Sequence, residues 1–189
     1  MIPQGIVITT SEATKDWLPE CLNSLKNAPY PILVVGNGGW QPIIPEGILN
    51  VTVVVNDWNG WELGGIKRGA EHFEEFVHLM DTVVVKDISM FEKMFDTKGS
   101  VHLCPMFFSY LGKYRTWILE TVGIPKIHDK EEAITAEHMW NNTYLSCDLL
   151  AEQFEPELPI TTDVFEEKHG RRNMVCENDF IIKYKATHR

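Results

Sequence analysis

Cysteine is scarce and scattered in this chain. Four occur in 189 residues, Cys21, Cys104, Cys147 and Cys176, and no two form a CxxC pair. Zinc-site spacing is therefore absent, and the cysteines read as reduced thiols of a cytoplasmic protein, some of them core. Basic residues are also few: 17 Lys and Arg against 27 Asp and Glu leave a net charge of -10. That balance argues against a protein that coats nucleic acid, because phosphate binding needs a basic surface. It leaves room for one local basic pocket. No stretch approaches the roughly 18 apolar residues that a membrane span needs. The first residues, MIPQGIVITTSEATKDW, lack the basic start of a signal peptide. Three phosphate and nucleophile motifs are missing as well: GxxxxGK[ST], GxGxxG and GxSxG.

What is present is an ordinary globular balance, 44% hydrophobic and 23% charged, in a length that fits one domain with a real core. GIVITT, residues 5–10, is a β-branched run that fits a strand buried on both faces. Residues 11–27 carry Trp17, Leu18, Cys21, Leu22 and Leu25 at helical spacing, with Pro19 in the first turn. YPILVV (30–35) and NVTVVV (50–55) read as the second and third strands. A helix opening at Gly64-Gly65 carries Ile66, Ala70, Phe73 and Phe76 or Val77, and residues 78–85 follow as a fourth strand. Further on, the pattern predicts a short helix over 88–95, a strand over 100–106, and helices over 110–122 and 130–144. Pro156 and Pro159 break the chain, a polar cluster EEKHGRRNM follows, and DFIIKYK ends it as a strand. The β-α-β-β-α-β order implies an α/β fold with a mainly parallel sheet flanked by helices.

In such sheets the ligand sits beyond the carboxyl ends of the strands. Thr9, Thr10, Ser11, Asn37, Asp57 and Asp81 fall there. The segment Gly64-Gly65-Ile66-Lys67-Arg68-Gly69 can be read in two ways. Glycines at a helix start let an anion approach backbone N–H groups, and Lys67 and Arg68 in a first turn call for negative charge nearby. Alternatively the glycines pack helix on sheet and the two bases are solvated. Asp81 is either a strand-terminal cap or a ligand for Mg²⁺ or Mn²⁺ on phosphate oxygens. Glu137, beside His138 and Trp140, is either part of a solvated acidic face or a general base. His169 is a potential metal ligand and Arg171 a potential phosphate clamp, unless Gly170 simply marks an exposed turn. Trp58 and Trp61, in a loop with Asn59 and Gly60, are candidates to stack a base or sugar.

Taken in order, these pieces resemble the GT-A glycosyltransferases, particularly the inverting family-2-like type, over roughly residues 5–144. The resemblance implies a single GT-A-like, Rossmann-related domain, with 1–87 as the nucleotide-binding half and 88–189 as the acceptor half and tail. Thr9-Thr10-Ser11 matches the turn that meets the nucleotide. The glycine segment echoes the family's donor-binding stretch, which adds Gly65, Lys67 and Arg68 to the donor site. The DxD motif is degenerate, since Met80-Asp81-Thr82 keeps one acid. Glu137 matches the catalytic carboxylate, and His169 or Arg171 matches a late residue on the metal or diphosphate. The implied activity is direct displacement from a nucleotide-sugar such as a UDP-sugar, with Mn²⁺ or Mg²⁺ as cofactor. The acceptor stays open among protein, glycan, lipid and modified nucleobase. A chain this short is expected to have a compact acceptor site, or one completed by a partner or by a homo-oligomer. Two other readings compete. A sugar nucleotidyltransferase shares the sheet and metal logic, and a catalytically inactive GT-A-like module would serve binding or assembly.

Overall fold

The computed structural model describes residues 1–103, 110–153 and 160–186. The central strand, β1 (Ile2–Thr10), is buried from Gly5 onward. It lies between β2 (Ile32–Gly36) and β4 (Phe73–Met80) and runs parallel to both. The edge strand β3 (Val51–Val55) is parallel to β2. On the other side of β4 come β7 (Gly112–Arg115), β6 (Val101–His102) and β8 (Glu152–Gln153), giving the order β3-β2-β1-β4-β7-β6-β8. Only β7 runs antiparallel to its neighbours. The chain thus builds outward from β1 to β3 and then crosses back to place β4 on β1's other side. That reversal opens a crevice between the ends of β1 and β4.

Alternation along β1 sends its side chains into two cores. Ile6 and Ile8 pack with Val34 and Leu79 against α1 (Leu18–Ser24) and α3 (Ser89–Asp96). Val7 packs with Leu33, Val35 and Phe76 against α2 (Trp61–His72), α4 (Thr116–Val122) and α5 (Lys130–Cys147). Fully burying each such side chain contributes about 1.5–3 kcal/mol, so these two layers carry the fold. A second sheet, β5-β11-β10-β9, is antiparallel throughout and consists of β5 (Val83–Val85), β9 (Ile160–Lys168), β10 (Arg171–Glu177) and β11 (Ile181–Ala186). Its Cys176 and Ile181 join the first core.

The mainly parallel, helix-flanked sheet stands as the sequence implied, and several boundaries move. Helix α2 opens at Trp61, so Lys67 and Arg68 sit past its first turn, and it stops at His72. Phe73 and Phe76, expected on that helix, belong to β4, where both are buried. Aromatics three apart make a helical step, and the strand wins here because β4 completes the ladder with β1. The expected strand over 78–85 divides at Asp81-Thr82, where the chain passes from the large sheet into the small one. The expected helix over 110–122 begins only at Thr116, behind β7. The expected helix over 11–27 is reduced to a single 3₁₀ turn (Glu12–Thr14) and α1. The polar cluster EEKHGRRNM is a β-hairpin. His169 and Gly170 both take positive φ, 51° and 69°, in the two-residue turn that joins β9 to β10. The expected strand over 100–106 is seen as Val101–His102, and Cys104, Pro156 and Pro159 lie outside the described residues.

Candidate functional site

A cavity of about 880 Å³ opens at the crevice between β1 and β4. Its floor is Thr9 and Thr10 at the end of β1 and Asp81 just past β4. Asn37 stands at the end of β2, Trp61 and Glu62 at the start of α2, and Ser11 begins the turn after β1. Glu137 reaches in from α5, and Lys183, Tyr184 and Lys185 close the side formed by the second sheet. The volume suits a small organic ligand. Of the residues singled out in the sequence, this brings together Thr9, Thr10, Ser11, Asn37, Trp61, Asp81 and Glu137.

Hydrogen bonds fix the floor. Thr10 Oγ1 donates to Asp81 Oδ2 at 2.6 Å. His78 Nδ1 lies 2.7 Å from the Tyr110 carbonyl oxygen, which can only accept, so that nitrogen carries the proton. His78 Nε2 therefore accepts from Thr9 Oγ1, at 2.7 Å. Burial pushes the imidazole down to about 4, so His78 is neutral and its tautomer is set. Helix α2 comes close enough to the floor only because Gly64 and Gly65 lack side chains. A Cβ on Gly64 would stand 2.6 Å from Asn37 Oδ1, and one on Gly65 would run into Thr9 Oγ1. Gly65 thus has a packing task beneath the cavity floor. Asn37 in turn donates to the Trp61 carbonyl at 2.6 Å and accepts from Asn56 Nδ2 at 3.1 Å. Trp61 sits at φ 43°, a costly conformation for an aromatic, and the Asn37 bond holds its carbonyl in place.

The charges in the walls act on one another. Burial raises Asp81 to about 6, Glu62 adds to the rise, and the hydroxyls of Thr10 and Thr14 together with Lys183 oppose it. Burial lowers Lys183 to about 8, against the pull of Asp81 and Glu62. Lys183 Nζ donates to Met80 Sδ at 2.9 Å and to Thr82 Oγ1. Burial also raises Glu62, and Glu137 adds to that rise while Lys183 and Lys185 counter it. Two carboxylates from different helices thus share this space with two lysines from one strand. Glu137 lies one helical turn before the buried Trp140 and Asn141, so the packing of α5 aims it inward. The start of α5 is capped by Asp129, whose Oδ1 accepts from Glu132 N at 2.8 Å, while Glu132 Oε2 accepts from His128 N at 2.7 Å.

Other sequence candidates lie elsewhere. Asp57, Lys67 and Arg68 line a separate hollow of about 290 Å³ with Trp58 and Pro125. Arg68 donates to Asn56 Oδ1 at 2.6 Å and pairs with Glu71 at 2.7 Å, so its link to the cavity runs through Asn56 and Asn37. Trp58 donates to the Ile127 carbonyl at 2.6 Å and does not line the large cavity. His169 and Arg171 are exposed at the β9–β10 turn. The His169 ring meets Trp17 edge-on at 4.5 Å, and Arg171 donates to the Ala13 carbonyl at 2.9 Å. The sequence reading passed over Glu62, His78, Lys183 and Lys185. Their signals were a lone histidine inside the apolar run FVHLM and two lysines spaced two apart in a strand.

A divalent cation fits these residues poorly. Among the described residues no group of three His, Cys, Asp or Glu could hold one. Asp81 is the single acid at the end of β4, one of its oxygens is engaged by Thr10, and Lys183 presents a competing positive charge.

The fold beneath this site also occurs in solved structures. It is shared with S. aureus TarS, at a TM-score of 0.55 and 12% identity over 82% of this chain and 36% of that one. It is shared with S. aureus TarS 1-349 at 0.56 and 10%, over 82% and 59%, and with the glycosyltransferase GlyE of Streptococcus pneumoniae TIGR4 at 0.51 and 9%, over 82% and 46%. The chain thus spans less than two thirds of each of these chains. No protein-family model and no curated protein sequence matches it.

Proposed function

We propose that the chain transfers a sugar from a nucleotide-sugar to an acceptor in the cavity between β1 and β4. The observation that carries this reading is the placement of a glycosyltransferase fold's strand ends, Thr9, Thr10, Asn37 and Asp81, opposite a carboxylate on α5 within one ligand-sized cavity. The donor's nucleotide lies over the ends of β1 and β2, with Trp61 beside it. Glu137 takes the proton from the acceptor hydroxyl as its oxygen attacks the anomeric carbon. The bond from that carbon to the diphosphate oxygen breaks, and the nucleoside diphosphate leaves with the electron pair. Residues 1–87 supply most of the donor walls, and 88–189 supply Glu137 and the lysine strand.

Two helix carboxylates, Glu62 on α2 and Glu137 on α5, reach the cavity besides Asp81 on its floor and Glu12, so the test must separate these two. Glu137→Gln is expected to lower transfer about a hundredfold or more while leaving donor affinity unchanged, because only proton transfer is removed. Glu62→Gln is expected to stay within about tenfold of the native rate. Steady-state kinetics with donor binding measured alongside decides the matter, and the reverse pattern would move the base to Glu62.

A further inference from the structure

We propose that Lys183 and Lys185 hold the diphosphate of the donor, in the position where a divalent cation would otherwise act. This rests on the nucleotide-sugar reading above and deepens it. Both residues lie on β11, and their spacing of two puts them on one face of that strand, toward the cavity they line. They are the only Lys or Arg lining it among the described residues. Lys67 and Arg68 open into the other hollow, and Arg171 is turned to the Ala13 carbonyl. Glu12, Glu62, Asp81 and Glu137 line the same cavity, so these two lysines supply the positive charge that an anion would meet there, on the wall formed by β11.

Two features make this wall suited to an anion. Lys183 is 4% exposed and lies within the influence of Asp81 and Glu62, so its ammonium is built into the cavity wall and is not a loose surface charge. Met80 Sδ and Thr82 Oγ1, both from the segment that crosses between the two sheets, fix its ammonium at the cavity edge. Lys185 is exposed and lies two residues nearer the chain's end, where a longer ligand would meet it. Two ammonium groups match the charge of a diphosphate, and they repel a metal ion competing for the same space. As the anomeric carbon–oxygen bond breaks, the electron pair settles on the diphosphate oxygen, and the two ammonium groups stabilise it there.

Isothermal titration of UDP, GDP, ADP, CDP and dTDP into the full chain tests this, once in EDTA and once with Mn²⁺. One diphosphate is expected to bind equally in both buffers, within about twofold. Lys185→Met, at an exposed position, is expected to weaken it at least about tenfold, with Lys185→Arg recovering most of the loss. The parent nucleoside should bind the native protein and Lys185→Met alike. Binding that appears with Mn²⁺ and vanishes in EDTA would overturn the lysine proposal and leave the transferase reading standing. So would a Lys185→Met variant that binds the diphosphate as tightly as the native chain. No binding of any diphosphate in either buffer would overturn both.

Discussion

Through its two ring nitrogens, His78 joins the cavity floor at Thr9 to the backbone of Tyr110. Folded His78 stays neutral down to about pH 4, whereas an unfolded imidazole takes up a proton near its ordinary 6.5. The unfolded state therefore binds the extra proton in that window. The stability that neutral His78 contributes is complete above pH 6.5 and is lost as the pH falls toward 4. Burial lowers His102 in the same way, also to about 4, and Asp81, raised from 3.8 to about 6, works in the opposite direction as the pH falls. Urea unfolding of the native chain should show lower stability at pH 5 than at pH 7. His78→Gln should shrink that loss by about 2 kcal/mol, the share of one imidazole shifted this far. An unchanged pH dependence would mean that His78 is not held neutral. The sequence hid this residue because a histidine inside an apolar strand has the same local signature whether it fills space or ties a network. Only the pairing of β1 with β4, through residues far apart in the chain, brings Thr9 to it.

At the scale of elements, the approach of α2 to the ends of β1 and β2 sets the cavity floor. Gly65→Ala is expected to cost about 1–3 kcal/mol, because the new methyl must displace Thr9 or push the helix away. The same variant should weaken donor binding, since Thr9 lines the cavity. Equilibrium unfolding together with donor titration checks both, and a variant as stable as the native chain would show that the helix has slack. The start of α5 is tested separately. Asp129→Ala removes the acceptor for Glu132 N and should cost about 1 kcal/mol. The parallel strands were legible because their β-branched runs are long and continuous, as in residues 5–10, 30–35 and 50–55. The β9–β10 hairpin was not. Its paired residues near the turn are polar, with Glu166, Glu167 and Lys168 opposite Asn173, Arg172 and Arg171 in register, so no hydrophobic alternation announces them. The boundary of α2 failed for a different reason. Phe73 and Phe76 satisfy a helical step, and only the ladder with β1 reveals the strand.

For the whole molecule, strand order decides where function can sit. The reversal after β3 leaves a crevice beside β1, and the Asp81-Thr82 crossing brings the second sheet against it. From the order of its elements the sequence implies a mainly parallel sheet with a ligand at the strands' carboxyl ends, but not the reversal itself. The reversal and the crossing both depend on pairing between distant residues, β1 with β4 and Val83–Val85 with Ile181–Lys183, which no local pattern reports. The cavity is therefore lined both by residues that the sequence singles out, Thr9, Thr10, Asn37, Asp81 and Glu137, and by Lys183 and Lys185, which it does not.

The central claim is that a nucleotide-sugar binds between β1 and β4. The most direct test is the melting temperature of the native chain and of Asn37→Leu against a panel of nucleotide-sugars. One nucleotide class at about a hundred times its Kd should raise the native melting temperature by about 5–10 °C, because ligand that binds only the folded state stabilises it by mass action. Asn37→Leu should lose most of that rise at the same concentration. No rise with any nucleotide-sugar, or an equal rise in the variant, would contradict the placement of the donor in this cavity.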